Sequence, residues 1–414
     1  MDRPLKIAVV TALFPKISET FILTHVAALI EAGHQVTVFA TDYRESEDIH
    51  PIFSEYNMKA KTVYKIDVRN PIKRIALIPF LFLKNIKHHR ALIKSFSPKY
   101  YGSYALKGYF FYDVLSFIHP AKFDIIHCHF GPNASKVAMI RQLGILQGKL
   151  ICTFHGHDIN DQREIQGQYN YKYLMPDLSA AICVVDYIKF KLVSLFAPKY
   201  KVYKNPVSVN INQFKLKQFS SEHSPLSFIS VGRVIDWKGQ LETVKAFKNI
   251  STQYPQLDFQ YTIIGEGPDL DEIREFIAIN KLGHKIHTIG SKPQGEVVSQ
   301  LQKSDVLILF GRKDKYQNID AQGTVVQEAQ ATGTPVIVSD AGGLPEGMIN
   351  YVTGLVVPEN NTDELENAIL NFYNNRDQIK TMGLAGRKFV EENYANEVVY
   401  KRLFEIYNQM IENN

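Results

Sequence analysis

The stretch NIDAQGTVVQEAQATGTPVIVSD (318–340) carries two carboxylates, Asp320 and Glu328, with seven residues between them and an apolar strand behind them. Carboxylates beside a strand end can serve a ligand site. The same letters also suit a plainer arrangement, with Gln327, Glu328 and Gln330 as the solvated face of a helix beginning near Thr324 and Asp320 in the loop before it. VGRVIDWKG (231–239) adds two cations, Arg233 at a strand end and Lys238 five residues later at a helix start. There, side chains and helix amides can share the charge of a diphosphate; a salt-bridged loop is the alternative. GEGPDLDEI (265–273) sets Gly265 and Gly267 in a turn that glycine commonly serves on its own account. SDAGGLPEG (339–347) offers a second turn where backbone can approach a phosphate or sugar. HCHFGP (127–132) and FHGHD (154–158) end two strands in four histidines, including His129 and His155, which together make a polar floor. No cysteine or carboxylate spacing completes a metal site around them, so no metal is expected. In FPKISETF, Ser18, Glu19 and Thr20 open a helix whose amides can hold an anion, although an ordinary N-cap accounts for Ser18 equally well.

Such residues need strand ends to hold them. Short apolar, β-branched runs alternate with helical patterns throughout: KIAVVTALF, QVTVFAT, DIIHCHF, KLICTFHG and AAICVV, then LSFISVGR, FQYTIIGEG, KIHTIG, DVLILFG, PVIVSD and GLVVP. In SETFILTHVAALIEAGH, Phe21, Val26, Leu29 and Ile30 can share one helix face, and Gly33 ends the helix. Strand–helix alternation implies parallel sheets with crossover helices, and having it twice implies two doubly wound α/β domains. The chain's 414 residues suit two domains as well. The boundary is expected within KQFSSEHSP (217–225), giving domains of 1–216 and 217–393 joined through KNPVSVNINQF (204–214). The last helical stretch, from about residue 377, carries Phe389, Tyr394, Tyr400, Phe404 and Tyr407. Its end, about 394–414, is expected to pack back on the first domain. Two such domains place the carboxyl ends of their strands, and any ligand, in the deep cleft between them.

Hydrophobic content of 45% with 21% charge describes a globular chain and excludes a disordered one. Cys128, Cys152 and Cys183 are an odd number in apolar, strand-like runs, which reads as reduced core thiols. The N-terminus reads as a first strand and not as a signal peptide, and ALIPFLFL (76–83) is too short to span a membrane. A cytoplasmic protein is expected. Its formal charge of +5 is unevenly spread: residues 1–200 hold 25 Lys and Arg against 16 Asp and Glu, and residues 201–414 hold 22 against 26. Within 59–107, 12 basic residues face a single acid, Asp67, and they are interleaved with Phe, Leu, Ile and Tyr. That mixture suits peripheral contact with an anionic membrane at the inner face of the plasma membrane. A helical pair covering a sheet, with lysines on its wet face, is the alternative. Nucleic acid is not an expected partner, because no nucleic-acid motif accompanies the charge.

Taken together, FPKISETFI, IIHCHFGP, FHGHD, VGRVIDWKG, IIGEGPDLDE, DVLILFG and QEAQATGTPVIVSDAGGLPE resemble the family 4 glycosyltransferases, and QGTVVQEAQATGTPVI is similar to their exopolysaccharide, capsule and colanic-acid-type branch. The resemblance implies the GT-B fold, in which two Rossmann-like domains face a cleft. It implies retaining transfer of a sugar from a nucleotide-sugar donor to a glycan or polyprenyl-linked acceptor, with no cofactor and no required metal. It gives Glu328 the ribose hydroxyls of the donor, and Arg233 and Lys238 its diphosphate. His155 would stand beside the reacting sugar, with Asp158 supporting that floor. Gly232, Gly265, Gly267, Gly323 and Thr324 would line the donor side, and the turn IGSKP from Ile289 would read the base. Ser18, Glu19, Thr20 and His129 would belong to the acceptor side. The family pattern has Glu where this chain has Asp320, one methylene shorter, approaching the donor sugar. A sugar-nucleotide epimerase or phosphorylase of the same architecture, and a two-domain sugar-binding protein without chemistry, are the rival readings.

Overall fold

The computed structural model describes residues 3–16, 19–42, 50–160, 171–196, 200–219 and 225–412. Among these residues seven strands form the first sheet: β1 Lys6–Leu13, β2 Gln35–Asp42, β3 Thr62–Tyr64, β4 Ile125–His129, β5 Lys149–Phe154, β6 Ala180–Cys183 and β7 Lys201–Lys204. Six form the second: β8 Leu226–Val231, β9 Phe259–Ile264, β10 Ile286–Thr288, β11 Val306–Leu309, β12 Val336–Ser339 and β13 Gly354–Val357. The orders are β3-β2-β1-β4-β5-β6-β7 and β10-β9-β8-β11-β12-β13, and every pairing is parallel. Both sheets are therefore doubly wound. Strand order reverses between β1 and β4 in one and between β8 and β11 in the other, and ligands gather outside such points. Every expected apolar run forms a strand. The edge strands β3 and β7 are not announced by the sequence, because TVY and KVYK are short and half-exposed and lack the density of a buried run.

Side chains alternate between layers, as a strand requires. Ile7 and Val9 pack with Leu403, Ile406, Tyr407 and Met410 of the closing helix, whereas Ala8 and Val10 face the opposite layer with Ile126 and Cys128. Cys128 and Cys152 are register neighbours on β4 and β5, and all three cysteines are buried and free. Burial pushes their thiols well above the ordinary range. The first helix, Thr20–Glu31, buries Ile22, Leu23, Val26 and Leu29 and leaves Phe21 and Ile30 half-buried, so the expected face is rotated. That rotation points Phe21 at the cleft.

The C-terminal helical stretch is two helices, Asp377–Asn393 against the second sheet and Asn396–Glu412 against the first. The break at Tyr394–Ala395 lies beside the connecting segment: the Val209 amide donates to the Tyr394 carbonyl at 2.8 Å, and Val209 bridges to Ala395. The two crossings between the sheets thus run side by side. Among the described residues no helix is long and apolar enough to cross a membrane.

Candidate active site

A cleft of about 930 Å³ opens between the two sheets at their carboxyl ends. From the second sheet it is lined by Arg233, Lys238, Asp320, Gln322, Gly323, Thr324 and Glu328, and from the first by Lys16, Glu19, Thr20, Phe21, Phe130, His155 and Asp158. The carboxylates of the 318–340 stretch therefore meet the cations of 231–239. Lys238 Nζ lies 2.7 Å from Asp320 Oδ1, with both side chains mostly shielded. Asp320 Oδ2 is buried with no partner among the described residues, which leaves one acceptor of that carboxylate for a ligand hydroxyl. Glu328 lies in the first turn of a short helix, Val325–Ala331, behind the pair. Burial pushes its carboxyl up to about 7, against the pull of Lys238. The solvated-face arrangement fails here: Gln327 and Gln330 are wholly buried, and the Gln330 amide donates to the Gly347 carbonyl at 2.7 Å.

Arg233 is exposed at the end of β8, its guanidinium over the Trp237 ring at 5.5 Å from the centroid. Lys238 ends a short turn, Asp236–Lys238, ahead of the helix Gln240–Gln253, so the two cations stand at one helix entrance. The nearby glycines serve that loop from behind. A Cβ on Gly265 would fall 1.8 Å from the Gly232 carbonyl oxygen, and one on Gly267 would fall 2.0 Å from that of Val234. The Gly232 amide donates to Ile264 and the Val234 amide to Glu266, at 3.0 and 2.9 Å. Gly265 and Gly267 are thus backbone spacers outside the cleft lining. Gly232 lies against the Lys238 stem, with Lys238 Cε 3.9 Å from where its Cβ would be. Ile289 is half-buried and donates its amide to Ile263, beyond the lining residues.

On the opposite wall, Asp158 gathers two strand ends. Its Oδ1 accepts from the His155 and Gly156 amides at 3.0 and 2.9 Å, and its Oδ2 from the Gly131 amide at 2.9 Å. Burial still pushes this carboxyl up to about 6, because three amides do not fully replace water. The His155 ring sits between Phe21 and Phe130, with centroids 4.7 and 4.6 Å away. His129 lies one layer below, its Nδ1 hydrogen-bonded to His155 Nε2 at 3.0 Å, and does not reach the cleft. Glu19 is ion-paired with Lys16 at the start of the first helix, and Thr20 lines the cleft beside it. Ser18 lies outside the described residues. Among the described residues, no group of three or more His, Cys, Asp or Glu is disposed to hold a metal ion.

Three participants escape a sequence reading. Lys16 sits inside FPKISETF but shows its role only when Glu19 turns toward it. Phe130 holds a left-handed backbone, φ 70, immediately before the helix Gly131–Arg141. That conformation is costly for a bulky residue and is concentrated at functional sites. Gln322 is buried and mimics a peptide: it accepts from the Val207 amide at 2.7 Å and donates to the Val207 carbonyl at 2.8 Å, clamping the connecting segment to the loop that carries Asp320. An aromatic before Gly-Pro was the only available signal for Phe130; nothing in the sequence marks Gln322.

Comparison with known proteins matches residues 18–210 to the glycosyltransferase family 4 model and residues 212–389 to the glycosyl transferases group 1 model. The chain is 28% identical over 406 residues to the amylovoran biosynthesis glycosyltransferase AmsK of Erwinia amylovora, covering 97% of this chain and 99% of that one. It is 26% identical over 400 residues to the putative colanic acid biosynthesis glycosyltransferase WcaL of Escherichia coli, covering 94% and 96%. The fold is similar to that of Anabaena HepE, solved in complex with UDP and glucose, with a TM-score of 0.70, 13% identity, and 98% and 99% coverage.

Proposed function

The chain belongs to the family 4 glycosyltransferases, and we propose that it carries out retaining transfer from a nucleoside diphosphate sugar to a glycan or lipid-linked acceptor in surface polysaccharide synthesis. The observation that carries this reading is the Lys238–Asp320 ion pair facing Glu328 inside the cleft. Breaking the donor's glycosidic bond leaves negative charge on the diphosphate and builds positive charge on the anomeric carbon. Lys238 and Arg233 are placed to meet the first. A diphosphate draws Lys238 away from Asp320, so that Asp320, already holding one free oxygen, accepts from the donor sugar. Glu328 accepts from the ribose. The departing phosphate takes the acceptor's proton on the same face, so no dedicated base and no metal are required. The polysaccharide assignment is supported by the amylovoran and colanic acid relatives, and the nucleotide-sugar donor by the UDP and glucose bound in the HepE structure.

Incubation with a panel of sugar nucleotides separates this reading from its rivals. A transferase hydrolyses one donor slowly without acceptor, an epimerase converts the sugar without releasing it, and a binding protein does neither. If the panel shows only conversion or no turnover, retaining transfer is wrong.

We further propose that the enzyme works against an anionic membrane surface. In the helix Pro71–Lys84, Ile72, Ile75, Phe80 and Leu83 are exposed, at 78, 67, 64 and 68%, and recur at helical spacing on one outward stripe. Ile78, Leu81 and Phe82 face the core, so this helix is apolar on both sides. Exposed Lys73, Lys84, Lys87, Arg90 and Lys94 flank the stripe, which supports insertion among acidic headgroups, where a polyprenyl-linked acceptor would be presented.

A further inference from the structure

Behind His155 the first domain holds an unbroken line of hydrogen-bonded rings. His155 Nε2 meets His129 Nδ1 at 3.0 Å, and His129 Nε2 meets His25 Nδ1 at 2.9 Å. His25 Nε2 meets the Tyr407 hydroxyl at 3.1 Å, and that hydroxyl meets His127 Nδ1 at 2.5 Å. His127 Nε2 ends the line on Thr153 Oγ1 at 2.7 Å. The members come from the first helix, β4, β5, the loop after β5 and the closing helix. His25, His127, His129 and Tyr407 are buried to within 4% of full enclosure. His155 alone lines the cleft, and with Nε2 committed to His129 its Nδ1 is the ring nitrogen left for a ligand.

The geometry constrains the protons. Burial holds His25 and His155 down to about 3 and His127 and His129 well below the ordinary imidazole range, so each ring is neutral and carries one proton. Each of the four rings has a partner on Nε2, and each pair along the line needs one donor and one acceptor. Two arrangements satisfy every contact with Tyr407 both donating and accepting. In one, Thr153 donates to His127 Nε2, His127 Nδ1–H to Tyr407, Tyr407 to His25 Nε2, His25 Nδ1–H to His129 Nε2, and His129 Nδ1–H to His155 Nε2. His155 then presents Nδ1–H to the cleft. In the other, every ring carries its proton on Nε2 and His155 presents a bare Nδ1. A mixed set places two donors or two lone pairs face to face, or has His25 and His127 both donate to the Tyr407 oxygen and leaves the hydroxyl's own hydrogen without a partner, and either is costly in a buried site.

We propose that His25, His127, His129 and Tyr407 are positioning residues that switch as one unit and fix the tautomer of His155. This rests on the cleft being a donor site, because a bound diphosphate then selects the set in which His155 offers Nδ1–H to it. The tautomer of an imidazole is set by the partner on its other nitrogen, and here that partner chain reaches the last helix of the protein.

The test is ¹⁵N NMR of the full-length protein labelled at histidine, free and with UDP or GDP as probe. In the free protein the four rings must report the same tautomer, all Nδ1–H or all Nε2–H, and mixed tautomers overturn the proposal whatever the cleft binds. With a diphosphate bound, the remote His127 is expected to report Nδ1–H together with His155. In Tyr407→Phe, which severs the line, His127 no longer follows the probe while His155 still does. A probe that moves His155 but leaves wild-type His127 unmoved from an Nε2–H state, or that moves His127 equally in Tyr407→Phe, overturns the chain and leaves the donor site standing. A probe that leaves both rings in an Nε2–H state counts against the donor site instead, and the free-protein spectrum still decides the chain. Thr153→Val, isosteric and at the far end, removes the acceptor for His127 Nε2–H, so should Tyr407→Phe fold poorly, this variant is expected to hold all four rings, His155 included, in the Nδ1–H set without the probe, and rings that keep Nε2–H would overturn the chain.

Discussion

Lys238 arrives at the ligand already paired, and that pairing makes the roles of single residues separable. Asp320→Asn keeps the shape of the loop but releases Lys238. We expect it to bind the nucleoside diphosphate as well as wild type or up to about tenfold more tightly, ~1.4 kcal/mol, while losing transfer; calorimetry alongside a turnover assay reads both. Weaker nucleotide binding in this variant would mean that Asp320 holds the nucleotide and not the sugar. Glu328 gives a pH signature. With its carboxyl at about 7 in the empty cleft, it is mostly protonated below that pH and must ionise to accept from two ribose hydroxyls. Affinity should therefore rise with pH through this range, by about tenfold from pH 6 to pH 8. Glu328→Gln should flatten that part of the profile, and any slope remaining in it belongs to the nucleotide phosphates. An unchanged slope in the variant would remove Glu328 from the ribose.

Loops and helices hold these side chains at fixed distance, and two contacts between elements matter. Glu346 reaches across from the second domain to accept from the amides of Asp186 and Tyr187 at 2.7 and 2.8 Å, capping the helix Asp186–Phe196 of the first. Lys204 completes the latch at 2.7 Å. Glu346→Ala removes a cap supplied by the other domain and should cost roughly 1–3 kcal/mol, read as a lower midpoint in urea; an unchanged midpoint would mean that the latch is open in solution. Gly265 bears on the site through the loop behind Arg233 and Lys238. Gly265→Ala, with φ 145 and a carbonyl 1.8 Å from the new methyl, should push that loop and lower both stability and donor binding, although residue 265 touches no ligand. At the outer surface, Phe80→Ser with Leu83→Ser should weaken sedimentation with anionic vesicles at least tenfold, because each buried side chain contributes about 1.5–3 kcal/mol, while leaving soluble donor hydrolysis unchanged. Equal sedimentation of variant and parent would refute membrane docking by this helix.

At the scale of the whole molecule, legibility followed burial and repetition. Most of the eleven runs named strands because parallel strands covered on both faces must be continuously apolar; the edge strand β10 was legible from KIHTIG despite its exposed His287, while the edge strands β3 and β7, half-exposed, left no such trace. Asp320, Glu328, Arg233, Lys238 and His155 could be placed at one cleft because strand ends and helix starts fix side chains to within a few residues. Gly265 and Gly267 were legible as glycines that the chain needs but not as spacers, since the carbonyls they avoid lie on another loop. The histidine line was hidden for a similar reason: His25 and Tyr407 stand 382 positions apart, and only the return of the closing helix brings them together. Under the proposed function, these parts meet in a two-domain cleft where the diphosphate leaves the anomeric carbon and the acceptor replaces it on the same face. The most direct test follows the anomeric proton by NMR as the enzyme hydrolyses its preferred sugar nucleotide, in wild type and in Lys238→Ala. The account predicts that the first sugar released keeps the donor's anomeric configuration, and that Lys238→Ala slows its release by about 100-fold or more. Release of the opposite anomer, or an undiminished rate without Lys238, would contradict it.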